Sequence, residues 1–213
     1  FERFLMNEPK LNCSLCQRLC EFRKLNQQKF PAYRNAPVPS FGDINSQILI
    51  VGLAPGLHGA NNTGRPFTND YAGDLLYPTL KNLGLAKGNY DCRADDGFEL
   101  LNCRITNAVR CVPPENKPTP EEIKTCLNFL RAEIASMQNL KIILALGGIA
   151  HNAVLKLFSL RASEFKFGHS NTFKIGKFIT LVDSYHCSRY NTSTKRLTEA
   201  MFIEVVKKVK KLV

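Results

Sequence analysis

Eight cysteines are spread through the 213 residues, and four are spaced so that a fold could bring them to one point. Cys13 and Cys16 form a Cys-x-x-Cys near the start, Cys111 follows a central apolar run, and Cys126 lies in the helical pattern after it. Four thiolates meeting in this way suit a zinc ion or an iron–sulfur cluster, and spacing alone does not choose between them. The competing role for Cys111 and Cys126 is ordinary packing, since free cysteine is among the most buried residue types. Cys20, Cys92, Cys103 and Cys187 remain over; Cys103 reads as core, and Cys20 is a rival ligand because it is so near Cys16.

A second concentration of chemistry is the stretch "VGLAPGLHGANNTGRPFTND", residues Val51 to Asp70, which follows the apolar run "QILI". It is neither a Walker phosphate loop, lacking the Gly-Lys-Ser/Thr ending, nor a Gly-x-Gly-x-x-Gly turn. Its opening "GLAPG" has no carboxylate or hydroxyl, so Gly52, Leu53, Ala54 and Gly56 offer only backbone N–H groups and apolar contact. The nearest carboxylate in sequence is Asp70, a candidate for orienting water whose competing role is capping the helix that follows. His58 and Asn61 are secondary candidates on the same loop. Two further side chains close strand-like runs: Asn107 in "ITN" and His186 in "SYHCS".

The elements that must position these groups alternate. Four runs, Gln47 to Ala54, Leu100 to Arg110, Lys141 to Gly148 and Lys177 to His186, are continuously aliphatic, as strands buried on both faces should be. Between them lie amphipathic stretches at Ala72 to Gly84, Thr119 to Met137 and Gly148 to Phe158, with a last one placing Leu197, Met201, Val205 and Val209 on one face. The order predicts an α/β fold, a three-layer α/β/α sandwich around a central four-stranded, mainly parallel sheet. One domain over 1–213 is expected, with the cysteine-bearing segment 1–40 packed on it. In open parallel sheets ligands bind at the carboxyl ends of the strands, where Gly52 to Asp70, Asn107, Gly147 and His186 all fall.

Composition narrows the partners. Twenty-nine Lys and Arg against eighteen Asp and Glu give a formal charge of +11 and a pI near 9.4, favouring a polyanion such as nucleic acid. The sequence has neither a membrane-length apolar run nor the pattern of a signal peptide, so a cytoplasmic protein is expected.

Taken together, "GLAPGLHGANNTGRPFTND", "ITNAVRCVPPENKPTPEEIKTC" and "SYHCSRYNTSTKRLT", with "CSLC" near the start, resemble the iron–sulfur uracil-DNA glycosylases. The likeness is strongest to the type 5, or B, family of prokaryotic thermophiles, and it covers roughly Leu11 to Glu199. The related type 4 pattern has Glu where this chain has Leu53, and the ordinary uracil enzymes have an acid where it has Ala54. The apolar "GLAPG" is what the type 5 family shows.

The resemblance implies a structural [4Fe-4S] cluster on Cys13, Cys16, Cys111 and Cys126. It implies that Phe67 stacks on a base flipped out of DNA, that Asn107 reads the base edge, and that His186 lies against base and sugar. Gly52, Leu53, Ala54 and Gly56 would line the base, and Ser188 and Arg189 would join them in holding DNA. Arg189, Tyr190, Lys195 and Arg196 would meet phosphates or fill the gap left by the flipped base, although such residues are often only solvated surface. The family's third motif usually reads His-Pro-Ser; here Cys187 replaces the proline, which puts the rigidity of that loop in question.

The implied function is a DNA repair glycosylase that removes uracil, and other deaminated bases such as hypoxanthine, leaving an abasic site. With no acid in "GLAPG", leaving-group stabilisation by His186, Asn107 and backbone N–H groups should carry more of the barrier than water activation. A monomer is expected, with uracil-containing DNA as partner and a sliding clamp as a candidate protein partner. Two other classes fit parts of the pattern: a non-catalytic, metal-stapled nucleic-acid binder, and a small-molecule nucleoside hydrolase, which the charge disfavours.

Overall fold

The computed structural model describes residues 8–213, so positions 1–7 of the expected N-terminal segment lie outside the described residues. In chain order the elements begin with α1 (Gln17–Lys29), β1 (Ile48–Gly52), α2 (Ala60–Thr63), α3 (Tyr71–Asn82), β2 (Ala86–Lys87), β3 (Glu99–Leu100) and β4 (Cys103–Asn107). A single 3-10 turn at Pro114–Asn116 leads to α4 (Pro120–Ser136), β5 (Ile142–Leu146), α5 (Gly148–Leu157), β6 (Thr172–Lys174), β7 (Thr180–Ser184), α6 (Arg189–Ser193) and α7 (Glu199–Lys211).

Strands β4, β1, β5 and β7 lie side by side in that order and are parallel, as the four aliphatic runs predict. The sheet has five strands, because β6 adds an antiparallel edge to β7. Only Phe173 of β6 is half-buried while Thr172 and Lys174 are exposed, so this strand leaves no continuous apolar run to be read. The run from Leu100 is also divided. Leu100 pairs with Ala86 in a separate two-stranded ribbon, and Asn102, at φ +54°, turns the chain before β4 begins.

The sheet separates two apolar layers. On one side Ile48, Ile50 and Val182 pack with Leu76 and Leu80 of α3 and Phe202 and Val205 of α7. On the other, Leu49, Val51 and Ile143 pack with Leu127 and Leu130 of α4 and Val154 of α5. This is the expected α/β/α sandwich. Leu197 is buried as the periodicity suggests, but it precedes the last helix, because Thr198 accepts a bond from the Met201 N–H and starts α7 one residue later. Thr119 and Glu122 form a full capping box on α4, and Glu122 also binds Arg18 of α1 at 2.7 Å, which ties the cysteine-bearing helix to the body. Beneath them Arg110 is buried between Glu133 at 2.7 Å and Glu8 at 2.8 Å, a second tie to the N-terminal segment.

Candidate functional site

The carboxyl ends of β1 and β4 meet at Gly52 and Asn107, which are direct register partners. A β-carbon on Gly52 would collide with both the Asn107 amide and the Phe67 ring, so glycine is what lets these two side chains close in behind the strand end. The Asn107 Oδ1 is buried and has no hydrogen-bond partner among the described residues. A buried acceptor left unpaired costs stability, and such groups in folded proteins usually have a functional reason.

Phe67 is held in the left-handed region at φ +57°, a conformation that a bulky residue adopts only when its surroundings impose it. The chain on either side is anchored by Arg65, whose Nε donates to Thr68 Oγ1 at 2.6 Å. Its guanidinium is buried in a two-pronged pair with Asp96 at 2.7 and 2.8 Å and is ringed by Phe41, Tyr77, Tyr90 and Phe98. On the far side Gly73 makes room for the Phe67 carbonyl.

The Phe67 ring opens on a cleft of about 450 Å³ that Leu53, Ala54, Gly56, Asp70, His186, Ser188 and Arg189 also line. The Phe67 and His186 rings stand 6.1 Å apart at a tilt of 34°. Burial pushes the His186 pKa down to about 4, so the ring is neutral near neutral pH. Asp70 occupies the N-cap position of α3 but its side chain makes no cap bond. Its carboxylate turns instead into the loop and accepts from the Ala60 N–H at 3.2 Å, against the faces of Gly56 and Gly59. This overturns the helix-cap role. Burial raises the Asp70 pKa, and the N–H groups of Ala60 and Gly56 only partly offset it.

Other sequence candidates fall elsewhere. Gly52 and Asn107 are not among the residues that line the cleft; they lie at the strand ends beside the Phe67 ring. His58 bonds the Tyr33 hydroxyl at 3.0 Å, and Asn61 donates to Asn35 at 2.9 Å, so both serve the loop's outer support. Ser188 and Arg189 do belong to the cleft's lining, where Ser188 also caps α6 and Arg189 lies over Tyr71 at 5.1 Å. Cys187 is fully buried in the core, where burial pushes its thiol up to about 12. The loop it occupies is fastened by Asn191, which donates to the His186 carbonyl at 2.8 Å. Sequence reasoning missed Tyr71, Ala72 and Asn116 in the lining, and the anchoring role of Arg65.

The cysteines converge as their spacing allows. Cys13, Cys16, Cys20, Cys111 and Cys126 line one small cavity between α1 and α4, beside Leu19 and Phe129. Burial and the neighbouring thiols push Cys16 up to about 11 and Cys111 up to about 12. Cys20 donates its thiol to the Cys13 carbonyl at 3.2 Å. The Arg110 N–H donates to Cys126 Sγ at 3.3 Å, and the Arg23 guanidinium reaches Cys111 Sγ at 3.8 Å. Among the described residues no three His, Cys, Asp or Glu side chains are placed to hold a single metal ion. Nor is any helix long and apolar enough to cross a membrane.

Comparison with known proteins gives a consistent picture. The profile of the Uracil DNA glycosylase superfamily matches residues 39–210. A type-5 uracil-DNA glycosylase of Thermus thermophilus is 43% identical over 205 residues, 94% of this chain and 93% of that protein. A type-5 uracil-DNA glycosylase of Pyrobaculum aerophilum is 38% identical, covering 93% of this chain and 88% of its own. One of Mycobacterium bovis is 38% identical over 94% of this chain and 78% of its own.

Proposed function

The chain belongs to the uracil DNA glycosylase superfamily, among its type-5 members, and on that footing we propose that it flips uracil out of DNA and hydrolyses the N-glycosidic bond. The observation that carries the reading is the cleft itself. Phe67, Asp70 and a neutral His186 face one space at the carboxyl edge of the sheet, backed by the unpaired Asn107 oxygen.

Breaking the bond at C1′ builds positive charge on the sugar and negative charge on the leaving base. In our reading the extruded base stacks on Phe67 and is read by Asn107, whose amide offers a donor and an acceptor. A neutral His186 donates an N–H to the leaving base, and the N–H groups of the Gly52 to Gly56 turn add to this stabilisation. Asp70, already anchored by the loop's amides, orients the attacking water. Arg189, in the cleft's lining, and the exposed Tyr190 beside it meet the DNA. The range extends to other deaminated bases such as hypoxanthine, since the turn around the base is apolar.

We assign Cys13, Cys16, Cys111 and Cys126 to a [4Fe-4S] cluster. An all-thiol donor set around one cavity supports the assignment, as do the N–H donors from Arg110 and Arg23 to two of the sulfurs, a feature that suits cluster-bound thiolates. The cluster would supply a cross-link between α1 and α4; glycosidic hydrolysis moves no electrons. The same proposal takes 1–213 as one domain working as a cytoplasmic monomer, with a sliding clamp as its candidate protein partner.

The test is strand incision: uracil-containing DNA, incubated with the protein and then with alkali, should break at the uracil. DNA bound but left intact would favour the non-catalytic binder, and release of uracil from free deoxyuridine alone would favour the nucleoside hydrolase.

A further inference from the structure

Beyond His186, a second cavity of about 240 Å³ shares only Leu53 and His186 with the cleft. Its character is aromatic. Tyr185 and Phe167 stand 6.0 Å apart at 56°, forming a corner, and the Arg196 guanidinium lies 4.7 Å from the Tyr185 ring centre. Behind Tyr185 the ring of His169 is stacked at 5.2 Å, and His169 Nδ1 accepts the Tyr185 N–H at 3.2 Å.

Phe167 sits in a segment without regular structure, yet it is fixed from both sides. His151 of α5 bonds the Phe165 carbonyl at 2.8 Å and the buried Asp183 carboxylate at 2.7 Å. The other Asp183 oxygen accepts the Gly168 N–H at 3.3 Å. A buried pair thus holds the residues flanking Phe167, and a side chain fixed in this way is pre-organised for a partner. Hydrophobic packing alone does not require it, because Phe167 and Tyr185 are both only half-buried and line open space.

We infer that this cavity is a second nucleobase subsite: it takes, against Phe167 and between the Tyr185 ring and the exposed Arg196 guanidinium that now covers its free face, the unpaired base of the nucleotide next to the one in the cleft. The inference rests on the glycosylase reading for its neighbour and on the cavity for its chemistry. Aromatic platforms beside a cation are how proteins hold unpaired bases regardless of sequence, since every base has a π face. The cavity is smaller than the about 300–1,000 Å³ that encloses a drug-sized ligand, so it suits one base and not a duplex step. A strand passing the cleft reaches it across His186. Because a paired neighbour cannot enter, the subsite favours single-stranded or frayed DNA.

The experiment uses a single-stranded oligonucleotide carrying a tetrahydrofuran abasic-site analogue, with 2-aminopurine on its 5′ or 3′ side. Binding by the full chain should quench the 2-aminopurine on one side, as stacking does. Tyr185→Leu and Phe167→Leu should remove the quench and weaken affinity roughly tenfold, the scale of one lost base–aromatic stack, whereas Tyr185→Phe should keep both. Replacing the flanking base by an abasic spacer should cost the wild type the same factor and cost the Leu variants nothing more. That comparison is internal to each variant, so a general loss of folding does not imitate it. No quench at either position, or a spacer penalty equal in wild type and Leu variants, overturns the subsite. Uracil release is scored separately on strands of the same sequence with deoxyuridine in place of the analogue: quench without release leaves the subsite standing and sinks the glycosylase reading.

Discussion

The carboxylate of Asp70 occupies the space that a β-carbon on Gly59 would need. The glycine is therefore a condition for the position of the acid, and the two should behave as one unit. Gly59→Ala should lower uracil release as much as Asp70→Asn, and the double variant should be no worse than either single one. Rates that multiply in the double variant would separate the two roles.

Arg65 and Asp96 form a buried pair that anchors the chain two residues before Phe67, and breaking a buried pair by removing one partner typically costs about 3–5 kcal/mol. Arg65→Met should lower the denaturation midpoint and weaken release together, because the strained backbone of Phe67 loses its support. Burial opposes the Asp96 charge, but the Arg65 hydrogen bonds and the N–H groups of Asp91 and Phe98 hold its pKa far below the ordinary value. A depressed pKa gives stability that is full above about 3.9 and lost as the pH falls below it. Acid unfolding of the wild type should therefore show a component that Asp96→Asn lacks.

His151 gives the opposite slope. Burial disfavours its charge, yet the Asp183 hydrogen bond and charge, with the Phe165 carbonyl, outweigh this and raise the pKa above 6.5. Stability from a raised pKa is complete below the unfolded value of about 6.5 and fades as the pH rises through the folded one. The thermal midpoint should decline on the alkaline side of neutrality, and His151→Gln should lower it at pH 6 while flattening that decline. An unchanged profile would show that the ring is neutral.

Purified protein should be brown, with about four irons per chain for a site of this kind. Cys16→Ser and Cys126→Ser should lose iron and melt earlier, while Cys20→Ser should keep both, since its thiol is engaged with the Cys13 carbonyl. Iron loss in Cys20→Ser matching that in Cys16→Ser would exchange the two assignments.

Much of this was legible in the sequence because the sheet is parallel. Aliphatic runs buried on both faces identify themselves, and their carboxyl ends locate Gly52, Asn107 and His186 without coordinates. What escaped depends on contacts between distant or unpatterned residues. Arg65 and Asp96 are 31 positions apart, and nothing local marks either as buried. Asn116 enters the lining through a turn at φ +56°, which asparagine tolerates but does not announce. Asp70 sits where a cap belongs, and only the folded loop reveals that its side chain faces the other way. The Phe167–Tyr185 corner needs a segment with no periodicity to fold back beside β7.

The central claim is that a neutral His186 stabilises the leaving base, and the pH profile of single-turnover uracil release tests it most directly. With the His186 pKa near 4, the rate should show no inflection around pH 6.5, and His186→Ala should lie on the order of 10²-fold lower across the neutral range. An inflection near 6.5 that disappears in His186→Ala would mean the ring acts as an imidazolium. A His186→Ala variant close to wild type, beside an inactive Asp70→Asn, would make water activation the main term and contradict the account.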